Sequence, residues 1–282
     1  MTNSSSHQRP ILVTGGTGKT GGRVAARLRA AGHAVRIGSR AAEIPFDWAD
    51  RGTWTPALFG VDAVYIAFQP DLAVPGADET IRAFVNAAKA NEVRKLVLLS
   101  GRGEPEAEQC ERIVQGSGLD WTIVRCSFFA QNFSEGAFLE YILAGAVALP
   151  NGDVPEPFVH ADDIADVAVA ALTEDGHDGE LYELTGPRSL TFAEAVAEIA
   201  AATGRTIEFI PISRTDFVAA LTEYQVPADA VSLLDYLFGT VLDGRNSKTE
   251  DGVWRALGRE PKDFRDFADV TAATGIWNIQ DS

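Results

Sequence analysis

Three glycines carry the clearest chemistry in this chain. Gly15, Gly18 and Gly21 stand at G-x-x-G-x-x-G spacing within Thr14–Gly–Gly–Thr–Gly–Lys–Thr–Gly21. The apolar run Ile11–Leu12–Val13 leads into them, and Val24, Ala25, Leu28 and Ala31 follow at helical intervals. A strand, a glycine turn and a helix in that order form a phosphate-binding unit for a dinucleotide. Gly15 is expected to make the tight turn and Gly18 to admit the pyrophosphate to the backbone. Gly21 is expected to let helix and strand pack closely. The N–H groups opening the helix, at its positive end, would hold the diphosphate, with Thr17, Lys19 and Thr20 in the same cradle.

The end of the next strand reads the adenosine ribose in such a unit. An acid there accepts from the 2′-hydroxyl of NAD, whereas arginine accommodates the 2′-phosphate of NADP. The strand ends Gly38–Ser39–Arg40, and the next acid is Glu43. Arg40 offers a bidentate phosphate partner and Ser39 a hydroxyl, so the pattern favours NADP(H). Asp47 either accepts from the adenine amino group or caps the following turn. Phe68, Gln69 and Pro70 end the third strand, on the edge where ligands lie, and are expected against the cofactor. Packing into the core is the other reading of Phe68.

These residues need a parallel sheet to position them. Apolar segments at 11–13, 33–38, 62–68, 95–100 and 120–125 alternate with helical patterns, including 79–90 and 107–115. That alternation predicts an α/β fold, a Rossmann doubly wound parallel sheet with a smaller, interleaved C-terminal α/β part. The second half predicts a helix from Asp162 or Asp163 to Leu172 and a strand at 181–185. A capping box at Thr191–Glu194 opens another helix. A strand at 206–212 and helical patterns over 215–242 follow. The expected division is a disordered tail at 1–10, the nucleotide-binding domain at 11–155 and a mainly substrate-binding part at 156–282.

Composition narrows the partners. The 282 residues are 46% hydrophobic and 23% charged, which suits a globular chain, and the net charge of −16 opposes nucleic acid and anionic membranes. No apolar leader precedes the first strand, and no run nears the ~18 residues that span a bilayer. A cytoplasmic location is the expectation. Cys110 and Cys126 are read as buried free thiols. The scattered cysteines and histidines suggest no metal site.

The chain resembles the NmrA-like atypical short-chain dehydrogenase/reductase group. The resemblance is carried by the glycine turn, Leu99–Ser–Gly–Arg–Gly103, Leu119–Asp–Trp–Thr–Ile–Val–Arg125, Phe128–Phe–Ala–Gln–Asn–Phe133, Pro157–Phe–Val–His–Ala–Asp–Asp–Ile–Ala–Asp166 and Tyr182–Glu–Leu–Thr–Gly–Pro187. It runs from about Ile11 to the end. Within the group, Gly-Gly-Thr-Gly-Lys-Thr is most similar to ergot alkaloid reductases of the festuclavine synthase and agroclavine dehydrogenase kind. The resemblance implies an NADP(H)-binding Rossmann domain with a small C-terminal substrate part. It leaves open quinone, iminium or double-bond reduction, and redox sensing without turnover.

The acid pair of typical short-chain dehydrogenases, Tyr-x-x-x-Lys, is absent: none of Tyr65, Tyr141, Tyr182, Tyr224 and Tyr236 has a lysine four positions on. Carbonyl reduction needs a proton or strong donor at the nascent alkoxide. Hydride addition to an iminium needs none, and the anion from a quinone or conjugated acceptor is stabilised. The expected function is therefore NADPH-dependent reduction of a small imine, iminium, quinone or conjugated substrate. An NADP(H)-sensing regulator is the alternative, and a carbonyl reductase or epimerase a weaker one. The expected partner is a small molecule, with a homodimer or a regulatory protein left open. Ser100, where the family's active-site serine often lies, is the catalytic candidate and a cofactor-contact candidate. Glu104, Phe128, Phe129, Asn132 and His160 are the substrate-pocket candidates. A helix cap for Ser100 or Asp163, a solvated acid for Glu104, core packing for the phenylalanines and a structural hydrogen bond for His160 are the competing readings.

Overall fold

Short, nearly uninterrupted apolar runs have no polar face to show to water, so they pair side by side under helices. The computed structural model describes residues 9–136 and 138–279. In chain order its elements are β1 (Ile11–Thr14), α1 (Gly21–Ala30), β2 (Val35–Gly38), α2 (Trp54–Leu58), β3 (Ala63–Ile66), α3 (Ala77–Ala90), β4 (Lys95–Gly101), α4 (Pro105–Gln115) and β5 (Asp120–Cys126). Then come α5 (Leu139–Ala144), β6 (Ala146–Leu149), α6 (Ala161–Thr173), β7 (Glu180–Leu184), α7 (Phe192–Thr203), β8 (Glu208–Pro211), α8 (Arg214–Glu223), α9 (Ala228–Tyr236), α10 (Gly252–Leu257) and α11 (Phe264–Ala273).

Six strands form one sheet in the order β2-β1-β3-β4-β5-β7. Ile11 lies opposite Val35 on one side and Ala63 on the other, and Ala63 lies opposite Lys95, all in parallel register. β7 runs parallel to β5. The Gly179 N–H reaches the Trp121 carbonyl near their starts, and the Ser127 N–H reaches the Leu184 carbonyl at their ends. The strand order reverses between β1 and β3, so their C-terminal ends flank the crevice where doubly wound sheets take ligands. This is the Rossmann-like sheet expected from the alternating pattern.

Two interleaved units make up the chain. The first runs to Gly101 and adds Pro105–Arg125 and Ile164–Tyr182; the second takes Arg102–Glu104, Cys126–Asp163 and the chain from Glu183 on. The first unit buries Leu12, Val64, Ile66 and Leu96 from the strands with Ile81, Phe84 and Trp54 from the helices. The second unit packs Phe133, Phe158, Phe192, Phe238, Phe264, Phe267 and Trp277 into its own core, where β6 pairs in parallel with β8.

Several local features depart from the sequence pattern. Of the expected tail, residues 1–8 lie outside the described residues. Arg9 and Pro10 are tied down: Arg9 donates to the Val61 carbonyl at 2.9 Å, and Pro10 accepts from the Asp62 N–H at 3.0 Å. Helices α2, α5, α10 and α11 and strand β6 join the expected elements. β6 is recognisable chiefly through its distant partner β8. The capping box at Thr191 forms as the spacing predicts, with Thr191 accepting from Glu194 N–H and Glu194 accepting from Thr191 N–H. At α6 the expected aspartate cap is replaced. His160 Nδ1 accepts from the Asp162 N–H at 3.0 Å, and Gln131 Oε1 accepts from the Ala161 N–H at 2.7 Å. Asp163 turns instead to the Arg259 guanidinium at 2.8 Å and the Lys262 N–H at 2.7 Å. Both cysteines are buried and free. Among the described residues no helix is long and apolar enough to cross a membrane.

Candidate functional site

In the first unit the glycine turn is shaped by what it lacks. Gly15 has a φ of +60°, and a Cβ there would meet the Ala67 Cβ at 3.3 Å. Both the left-handed backbone and the close approach of β3 favour glycine. At Gly21 a Cβ would fall 2.2 Å from the Gly15 carbonyl oxygen, an impossible contact. Gly18 closes the turn by donating to the Gly15 carbonyl at 2.8 Å, and a Cβ on it would meet nothing nearer than 3.3 Å. Thr14 locks the turn to the neighbouring strand. Its buried hydroxyl donates to the Tyr65 carbonyl at 3.1 Å and accepts from the Ala67 N–H at 2.9 Å.

The start of α1 differs from the other long helices. Among the described residues, α3, α4, α6, α7, α8 and α11 each carry an acid in the first turn, whereas α1 carries none. No side chain caps it either. Helix starts present unpaired N–H groups and partial positive charge, and acids stabilise them. A chain with 40 acidic residues leaves this start clear for an anion. Thr17 and Gly18 are exposed, Lys19 is half-buried and Thr20 is buried.

The remaining cofactor candidates occupy strand ends of the same unit. Ser39 is half-buried and Arg40 exposed after β2. The Ser39 carbonyl accepts from the Ala42 and Phe46 N–H groups, which folds the 39–46 segment into a turn. Asp47 caps locally, its Oδ1 accepting from the Ala49 N–H at 3.0 Å. Phe68 is half-buried with its ring 5.0 Å from that of Trp48, whereas Gln69 and Pro70 are exposed.

Ser100, at the end of β4, is held by a charged pair that sequence reasoning missed. Its Oγ donates to Glu111 Oε1 at 2.6 Å. Arg125 Nε donates to the same oxygen at 2.9 Å, and its terminal nitrogen reaches Glu111 Oε2. Ser100 and Glu111 are both buried. A serine hydroxyl has one proton and two lone pairs. Here the proton is committed to a carboxylate, and the lone pairs are what Ser100 can offer any ligand. The available signal was spacing: Glu111 lies on α4 and Arg125 on β5, both of which pack beside β4.

The second unit holds the substrate candidates. Glu104 is buried. Phe128 is half-buried, its ring 5.3 Å from Phe192, 5.9 Å from Phe158 and stacked on Phe138 at 5.9 Å. Phe129 bridges in parallel to Val159, and Asn132 sits half-buried in a single 3-10 turn, Ala130–Phe133. His160 spends Nδ1 on the α6 start, and its Nε2 lies 3.1 Å from the Gln131 amide nitrogen. Both ring nitrogens thus lie within hydrogen-bond distance of protein groups. Glu156, absent from the sequence candidates, is 2% exposed, and its Oε1 accepts from the Phe128 N–H at 3.1 Å. Burial pushes its carboxyl up to about 7 against the lowering effects of that N–H and of Arg102. Nothing local marked it, since Pro155–Glu156–Pro157 reads as a solvated loop.

Comparison with known proteins follows the glycine turn. The sequence pattern described as NAD(P)H-binding matches residues 15–175. The chain is 33% identical to the uncharacterized oxidoreductase YesF of Bacillus subtilis (strain 168), over 96% of this chain and 98% of that protein. It is 29% identical to the agroclavine dehydrogenase of Claviceps fusiformis, over 96% of this chain and 99% of that one. The NADPH-dependent quinone oxidoreductase QOR2 of Escherichia coli, solved with NADPH, has a TM-score of 0.74 at 22% identity, covering 92% of this chain and 99% of its own. At that identity the likeness is one of fold.

Proposed function

This chain belongs to the NAD(P)H-binding family, as an NmrA-like atypical short-chain dehydrogenase/reductase, and on that premise we propose that it is an NADPH-dependent reductase of small molecules. As an NAD(P)H-dependent oxidoreductase it would pass hydride to an imine or iminium, a quinone or a conjugated acceptor, without a Tyr/Lys acid pair. The observation that carries this reading is the acid-free, uncapped start of α1 behind a turn that tolerates no side chain at Gly21. That arrangement fits a diphosphate.

Gly15, Thr17, Gly18, Lys19, Thr20 and Gly21 would hold the pyrophosphate, with Ser39 and Arg40 on the 2′-phosphate. Phe68, Gln69 and Pro70 would line the ribose, and Asp47 would stay in its local turn. The bound nicotinamide supplies the hydride. Ser100 would accept a hydrogen bond from an amide or a protonated substrate nitrogen, because its own proton is engaged by Glu111. Glu104, Phe128, Phe129 and Asn132 would wall the substrate side, with His160 stabilising their frame.

Steady-state NADPH oxidation with a panel of iminium, quinone and enone acceptors tests the reading. Turnover with at least one class is expected. Tight NADPH binding without turnover of any class would overturn it in favour of a cofactor-sensing regulator.

A further inference from the structure

Glu156 is a buried acid with an incomplete set of partners. Among the described residues the one hydrogen-bond donor to its carboxyl is the Phe128 N–H, at 3.1 Å on Oε1. The charge that acts on it is Arg102, and that guanidinium is engaged elsewhere. It lies 3.0 Å from Glu250 and 3.6 Å from Glu183, and donates to the carbonyls of Asn246 and Lys248. Its backbone is engaged as well: Leu190 exchanges backbone hydrogen bonds with Glu156 at 2.8 and 3.0 Å. An ionised carboxylate without a contacting cation is costly when buried.

Its place in the fold is also informative. Pro157, the next residue, accepts from Ser127 Oγ at 2.6 Å and from the Gly186 N–H at 3.0 Å. Ser127 directly follows β5, and Gly186 follows β7 by two residues. Glu156 is therefore fastened to the C-terminal ends of two parallel strands, the edge that carries ligands in open α/β sheets. Phe128, whose N–H it holds, carries a half-buried ring of the aromatic group proposed above as the substrate wall.

We propose that Glu156 is the proton donor of the substrate side and that the preferred substrate is a neutral conjugated carbonyl or quinone. This rests on the reductase reading. Hydride addition places two electrons and one hydrogen on the acceptor carbon and leaves the negative charge on its oxygen, while NADPH becomes NADP⁺. The Glu156 O–H bond breaks as the substrate O–H bond forms. The remaining carboxylate takes a proton from water. A neutral acid suits a neutral acceptor, whose nascent anion it protonates, and an iminium would gain nothing from it.

The test compares the wild type with Glu156→Gln, which keeps an acceptor for the Phe128 N–H. The probes are 2-cyclohexenone and N-methyl-3,4-dihydroisoquinolinium. The variant is expected to lose about 100-fold in kcat with the enone. Its NADPH affinity, its thermal midpoint at pH 6 and any iminium turnover should stay within about twofold or a few degrees. Wild-type enone turnover should fall as pH rises through about 7, where the carboxyl loses its proton, and the variant should lack that limb. Unchanged enone kcat, or equal loss with both acceptors, overturns the proposal. If the wild type binds NADPH but oxidises it with no acceptor of the iminium, quinone and enone panel, the reductase reading itself fails, which is a separate outcome.

Discussion

The glycine turn after β1 and the segment after β5 both follow the C-terminal ends of parallel strands, yet they are built in opposite ways. The turn works by exclusion. Gly21 cannot carry a Cβ, α1 carries no acid in its first turn, and the groups it would offer a ligand are backbone N–H groups whose character no neighbour can change. The segment after β5 works by accumulation. Phe128 packs among three phenylalanines, His160 accepts from a helix start, and Glu156 is buried with a single N–H on its carboxyl. A backbone site is the same chemistry wherever it occurs, whereas a side-chain site takes its chemistry from its surroundings. That difference suits a fold in which one hydride carrier is held in a fixed way and the acceptor varies.

The contrast can be broken in order of expected effect. Glu111→Ala leaves the Arg125 guanidinium, its side chain 17% exposed, without the carboxylate it now grips. Stability should fall by about 3–5 kcal/mol in denaturant unfolding, because the guanidinium and the Ser100 hydroxyl both lose the buried carboxylate they share. A loss under 1 kcal/mol would mean that the pair is solvated and that Ser100 is free to donate. Gly21→Ala forces a carbon against the Gly15 carbonyl and should cost about 3 kcal/mol of stability, with NADPH affinity falling beyond what the destabilisation explains. Titration showing ordinary NADPH affinity would remove the turn from the cofactor site. Arg40→Asp exchanges a phosphate partner for a repulsive charge. NADPH affinity should drop about 100-fold while NADH affinity changes little; equal losses would show that Arg40 reads no phosphate. The smallest effect is expected from His160→Ala, which removes one helix-start acceptor and should cost about 1 kcal/mol without changing kcat. A collapse in kcat at unchanged stability would make His160 a chemical group and shift the donor role away from Glu156.

Much of the first unit was legible because its signals are local. Gly15, Gly18 and Gly21 lie within seven residues, the sheet strands announce themselves as apolar runs, and the Thr191–Glu194 capping box closes over three positions. The second unit was less legible because β6 needs β8, about sixty residues on, and because α6 takes its cap from His160 and Gln131 where two aspartates stood in better sequence positions. Asp163 shows the reason. A short acid at a helix start caps it only when nothing stronger competes, and here the Arg259 guanidinium and the Lys262 N–H do.

The sequence by itself determined the class of the protein: a parallel sheet, a glycine turn between its first strand and first helix, and an arginine, Arg40, after the second strand. Those are properties of residue type and spacing, and they survive any tertiary arrangement consistent with the strand order. Only the tertiary structure decided what the polar side chains can do. The Ser100 hydroxyl donates to Glu111 and has only lone pairs left for a ligand, His160 accepts at the α6 start beside it, and Glu156 was driven toward its neutral form by burial with one N–H on its carboxyl. Donor, acceptor and protonation state are set by neighbours brought from elsewhere in the chain, and a linear sequence does not contain those distances.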